Sequence, residues 1–212
     1  MNIIQKHIDD SQYYKHENPK SILVLHHTAG GPNPYNVLHG WNFNAERVGT
    51  AYVIAGKEDK TKSYKDGDIV EAFDPKYHAY HLGLKTANNL DVTEKSIGIE
   101  ICNWGQLVKK ENKFYNYVNT EASAEEVVTF TSPFRGFLYY HKYTDAQLAS
   151  LKALILHLCD KFKIDKKFRP EIFDINHTAL NGGSGLWTHV SYRSDKNDCS
   201  PQPKLIDLLN SL

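Results

Sequence analysis

The sequence predicts a layered fold of strands mixed with a few helices, α/β or α+β, in one domain spanning residues 1–212. Three observations carry this. Two short apolar runs, "SILVL" (21–25) and "SIGIEIC" (96–102), have the length and content of buried strands. A longer stretch, 143–164, repeats its apolar residues at helical spacing. The chain of 212 residues, 41% hydrophobic and 24% charged, is long enough to bury a core and too apolar to be disordered.

In order along the chain, Ser21–Leu25 reads as a buried strand that runs into His26 and His27. The turn signals Gly30, Gly31 and Pro32 follow, and "NPYNVLHGWN" (33–42) then reads as a short helix. "TAYVIAG" (50–56) is a second strand. "YKDGDIVEAF" (64–73) predicts a hairpin with Asp66-Gly67 as its turn. "SIGIEIC" is the third strong strand. Alternation puts Ile97, Ile99 and Ile101 on one face and Gly98, Glu100 and Cys102 on the other. Residues 103–142 are irregular and aromatic, and read as a long excursion, such as a hairpin, laid over the core. In the long helix Thr144 is the N-cap and Gln147 can close a capping box. His157 and Cys159 read there as ordinary helix residues. A closing helix begins near Pro203 and carries Leu205, Leu208, Leu209 and Leu212.

Composition excludes several classes. Lys+Arg and Asp+Glu are both 25, so no net field draws the chain to nucleic acid or an anionic membrane. Cys102, Cys159 and Cys199 are an odd, scattered set rather than a disulfide framework, which suits synthesis in a reducing compartment. The first twenty residues are too polar for a signal peptide, and no run is apolar enough to span a membrane. Cytoplasmic synthesis is the expectation, with a separate route to any target outside. The 13 tyrosines suit carbohydrate or peptide binding, or equally an ordinary core and rim.

The chemistry concentrates at two places. His26 and His27 end the first strand, and "WTHVSYRSDKNDCSP" (187–201) gathers His189, Asp195, Lys196, Asp198 and Cys199. Neutral imidazole, carboxylate and thiolate are all competent zinc ligands. Two histidines and one anionic ligand would leave a zinc position open for water, whose pKa the ion lowers to about 7. Alternation along the strand turns His27 to the side opposite His26, where it reads as structural or supporting.

These strings, in this order, resemble the zinc-dependent N-acetylmuramoyl-L-alanine amidases of the amidase-2 type. That group includes phage lysins, cell-wall recycling amidases and peptidoglycan recognition proteins. "ILVLHHTAG" is similar to the family's first strand, "VGTAYVIAG" to its second, and "AYHLG" (79–83) to its "A-W-H-A-G". "SIGIEI" is its most recognisable string, "YTDAQLASLKALI" is similar to its long helix, and "THVSYRSDKNDCSP" stands in the place of "G-H-x(6,8)-K-x-D-P-G-P". The resemblance covers most of the chain. It implies a central mixed sheet flanked by helices, with the excursion around 103–142 inserted.

The resemblance also implies roles. His26 becomes the first zinc ligand and His189 the second. His177, in "INHTALNGG", is a rival set aside because only His189 stands at the family's distance before the anionic ligand. Asp198, two positions after Lys196, is the preferred third ligand, and Cys199 stays open as the alternative. Glu100 is the implied general base and acid, and Lys196 the implied partner of the oxyanion. Thr50 stands where some relatives carry a catalytic tyrosine; Thr50, His81 and Asn89 are expected along the substrate groove. Where relatives have "A-H-Y", this chain has Ala51-Tyr52, so one familiar histidine is missing. The implied activity is hydrolysis of the amide between N-acetylmuramic acid and L-alanine in peptidoglycan or its muropeptide fragments. A monomer with one Zn2+ is expected. The alternatives are a binding module without activity, and a zinc peptidase or amidase acting on another amide.

Overall fold

The computed structural model describes residues 1–58 and 63–212. Its centre is a six-stranded sheet built from β1 (Ile3–Gln5), β2 (Ile22–His27), β3 (Tyr52–Ile54), β4 (Ile69–Glu71), β5 (Ser96–Ile101) and a strand close to the C-terminus. The spatial order is β1-β4-β3-β5-β2 and then that late strand, Gly185–Thr188. Neighbours run parallel except β3 and β4, so the sheet is mixed. β2 is buried at every position and β5 at all but Glu100. Strands covered on both faces read as continuous apolar runs, which is why these two stand out in the sequence.

Helices surround the sheet. α1 (Pro34–Asn42) starts on an Asn33 cap with proline in its first turn. α2 (Asn89–Lys95) leads directly into β5. α3 (Asp145–Phe162) opens on the capping box of Thr144 and Gln147 and buries Leu148, Leu151, Leu154, Ile155 and Leu158. α4 (His177–Leu180) is one turn, and α5 (Pro203–Asn210) packs against α3. Among the described residues no helix is long and apolar enough to cross a membrane.

Two expectations change. Residues 64–73 do not form a hairpin of their own. Asp66-Gly67 is a turn, with Asp68 N–H donating to the Lys65 carbonyl, but the strand it serves, β4, pairs with β3. The turn is held from outside: Thr144 Oγ1 donates to Asp66 Oδ1 at 2.6 Å. A Cβ on Gly67, whose φ is +81°, would meet the Ala146 carbonyl at 2.7 Å. The excursion, too, is more than a hairpin. It forms a second, antiparallel sheet of β6 (Gln106–Lys110), β7 (Lys113–Tyr115), β8 (Glu121–Ala122), β9 (Val127–Phe134) and β10 (Phe137–His141). Its order is β8-β7-β6-β10-β9. These strands are short and half exposed, so their apolar signal is weak; Glu111 and Arg135 turn two of the connections in the left-handed region, without an Asn-Gly or Asp-Gly to announce them. The late strand of the central sheet, β11 (Gly185–Thr188), also carries no sequence signal beyond its four buried residues.

Candidate metal centre

The two histidines meet because their strands are neighbours. β11 runs parallel to β2 with Thr188 opposite Leu25. His189 is the first residue past that pairing and enters a single 3-10 turn, His189–Ser191, beside His26. The loop that follows returns Asp198, whose carbonyl accepts from Val190 N–H at 3.1 Å. His26, His189 and Asp198 are all buried, and one ligand atom from each lies within 4.8 Å of the others. Asp198 Oδ2 is 3.2 Å from His26 Nδ1 and 3.0 Å from His189 Nδ1. Among the described residues no other group of three or more such side chains could hold a metal ion. The site stands at the C-terminal ends of parallel strands, where open α/β sheets bind their ligands.

The donors suit a cation. His189 Nε2 lies 3.0 Å from the Leu82 carbonyl, which can only accept, so that nitrogen carries the hydrogen. With its hydrogen on Nε2, the uncharged form of the ring would present the Nδ1 lone pair beside Asp198 Oδ2. Burial favours the neutral His26 ring, pushing its pKa down to about 4, with His189 adding to the shift and Asp198 opposing it. Two imidazole nitrogens and a carboxylate oxygen are a set that zinc takes, with room for a further ligand. Cys199 is buried outside this trio, and burial pushes its thiol pKa well up.

Glu100 stands beside His26 on the same face of the sheet, since β2 and β5 pair His26 with Glu100. Burial pushes its carboxyl well above the ordinary range; Asp198 adds to this and Lys196 opposes it. His81 packs against His26, with Nδ1 at 2.9 Å from His26 Nε2, and its Nε2 lies 2.7 Å from Ser96 Oγ. Burial pushes the His81 pKa well down. A groove of about 830 Å³ opens over this ground. His26, Thr50, His81, Asn89, Glu100, His189, Lys196 and Asp198 all line it. Thr50 is buried there, its hydroxyl donating to the Tyr52 carbonyl and its methyl packed over Gly98. Asn89 accepts from Leu84 N–H through Oδ1.

Other positions fall outside the trio. His27 points to the far side of β2, its Nδ1 2.9 Å from the Tyr143 hydroxyl. His177 is exposed at the start of α4. Sequence reasoning also missed groove residues. Trp41 and Glu46 come from α1 and the loop after it, Gln106 from the second sheet, and Arg193 pairs with Asp195 at 2.5 Å. Of the missed residues only Arg193 lies in a string that the motif already marks.

The family model for N-acetylmuramoyl-L-alanine amidase, Amidase_2, matches residues 16–202. No curated protein sequence matches the chain. Among solved structures the chain is similar to the catalytic domain of XlyA, with a TM-score of 0.56 and 14% identity over 100% of this chain and 98% of that one. It is similar to a mutant endolysin from Bacillus subtilis, with a TM-score of 0.55 and 16% identity over 99% and 97%. It is also similar to the N-acetylmuramoyl-L-alanine amidase LysC from Clostridium intestinale URNW, with a TM-score of 0.51 and 15% identity over 100% and 96%. At these identities the structural likeness is one of fold. The family match spans nearly the whole chain and takes in every residue of the groove, and by it the chain belongs to the N-acetylmuramoyl-L-alanine amidase family.

Proposed function

We propose that the chain cleaves the amide between N-acetylmuramic acid and L-alanine of peptidoglycan at a zinc ion held by His26, His189 and Asp198. One observation carries this reading: two imidazole nitrogens and a carboxylate oxygen converge within 4.8 Å at the floor of the groove of a family amidase. Zinc at this position would supply Lewis acidity. Glu100 takes the proton of the attacking water and passes it to the leaving amine. A carboxyl whose pKa burial has raised is suited to both halves of that transfer near neutral pH. Lys196, half-buried on the groove wall, donates to the carbonyl oxygen as negative charge develops on it. Thr50 shapes the wall with its methyl, and Asn89 offers its amide nitrogen. A continuous core from Ile8 to Leu209 supports one amidase unit.

The test combines metal analysis with mass spectrometry of digested muropeptides. About one zinc per chain and a newly freed N-terminal L-alanine are expected, since an ion of this type is what the ligand set accommodates. His26→Ala and His189→Ala should each lose both. Cleavage at another amide, or binding of peptidoglycan without turnover, would replace this reading with a different one.

A further inference from the structure

We infer that His81 and Ser96 form a hydrogen-bond relay that fixes the tautomer of His26, leaving its Nδ1 bare towards Asp198 and the metal position. His81 is then a positioning residue that acts through His26. The consequence for metal affinity rests on the proposed ligand set, while the relay belongs to the metal-free protein.

The direction of each bond follows from the last. The Thr93 carbonyl can only accept, and Ser96 Oγ lies 2.8 Å from it. The hydroxyl has one hydrogen, and donates it there. Ser96 Oγ therefore accepts from His81 Nε2 at 2.7 Å. A neutral ring with hydrogen on Nε2 has none on Nδ1, so His81 Nδ1 accepts from His26 Nε2 at 2.9 Å. His26 Nδ1, last in the series, is left without hydrogen 3.2 Å from Asp198 Oδ2.

β5 is built for this arrangement. Ser96, Gly98 and Glu100 share the face that carries the site. Ser96 anchors the relay and Glu100 stands beside His26. Gly98 between them clears the space, because a Cβ there would lie 2.7 Å from the Thr50 methyl and 3.1 Å from His81 Nδ1. The second histidine has a simpler device, the Leu82 carbonyl on its Nε2. Two consecutive residues, one through its side chain and the next through its backbone, thus orient both imidazoles. Partners of this kind commonly alter metal affinity by about 10–100-fold.

Two measurements on the full chain decide it. Nitrogen-15 NMR of the metal-free protein reads which ring nitrogen of His26 carries hydrogen, and competition with a chelator reads zinc affinity. The wild type should show His26 with hydrogen on Nε2 alone. His81→Leu should mix the two tautomers and weaken zinc binding by about 10–100-fold. His81→Asn places an oxygen that only accepts near the position of Nδ1, and should restore both the tautomer and most of the affinity. Ser96→Ala, small and nearly isosteric, should mix the tautomers with a lesser loss, and gives the answer if His81→Leu does not fold. A wild-type His26 with hydrogen on Nδ1 overturns the relay. So does a folded His81→Leu, or failing that a Ser96→Ala, that keeps the wild-type tautomer. Weakened binding in His81→Leu that His81→Asn does not restore, with the tautomer unchanged, means packing alone and equally overturns it. A wild type that binds no zinc sinks the metal reading instead, and the tautomer still decides the relay.

Discussion

Glu100 and Asp198 are carboxylates on either side of one imidazole, His26, with different surroundings. Asp198 faces two ring nitrogens, while Glu100 lies along the strand with burial as the main influence on its proton. The first suits a ligand and the second a proton carrier. Glu100→Gln, nearly isosteric, should keep zinc and lose about 10²–10⁴ in kcat with little change in KM. Steady-state kinetics on a soluble muramoyl-peptide check this, and a kcat within a few-fold of wild type would remove Glu100 from the chemistry. Asp198→Ala should lose the metal, and Cys199→Ser should keep it. Cobalt substitution separates the two, because a thiolate ligand gives an intense near-ultraviolet charge-transfer band that a carboxylate does not. At this scale much was legible. His26, His189, Asp198 and Glu100 sit in strings whose order resembles a family. The tie between His81 and Ser96 was not legible, because it depends on how a loop and a strand start approach each other.

The elements that could be read in advance are those whose signal is local. α3 announces itself by Thr144, Gln147 and a regular apolar stripe, and β2 and β5 by runs buried on both faces. What could not be read is pairing. β4 takes β3 as its partner through contacts that no short window contains, and the second sheet is made of strands half open to solvent. β11 has four residues and gains its place only from β2. The Thr144 cap also joins elements: its hydroxyl oxygen accepts from Gln147 N–H at 3.0 Å and donates to Asp66 at 2.6 Å. Thr144→Ala should therefore destabilise the fold by about 1–2 kcal/mol, the upper part of the range for a lost N-cap. Urea unfolding measures it; a change below about 0.5 kcal/mol would mean that water replaces both bonds.

Across the whole molecule the proposed ligands lie on the outermost pair of strands of the central sheet and the loop that follows. The second sheet reaches the same loop, with Asn197 donating to Gln106 Oε1 at 2.8 Å and Arg135 donating to the Ser194 carbonyl at 3.4 Å. An ion held there would pin β11 against β2. Zinc at a thousand times its Kd should add about 4 kcal/mol to unfolding, and a chelator should remove it. Thermal melts with and without chelator read the difference, and superimposable melts for a zinc-loaded sample would count against a site shared between strand ends. The spacing of the ligands along the chain has a consequence in time. His26 and Asp198 are 172 positions apart, and the strand that delivers His189 is the last in sequence. During synthesis the proposed first ligand therefore waits for 172 further residues before its last partner exists. A ribosome-bound fragment that stops short of Asp198 carries the groove's first wall and Glu100, yet lacks the proposed metal trio. On the proposed ligand set, wall-degrading capacity arrives only once residue 198 has been made, so shorter nascent chains are inactive.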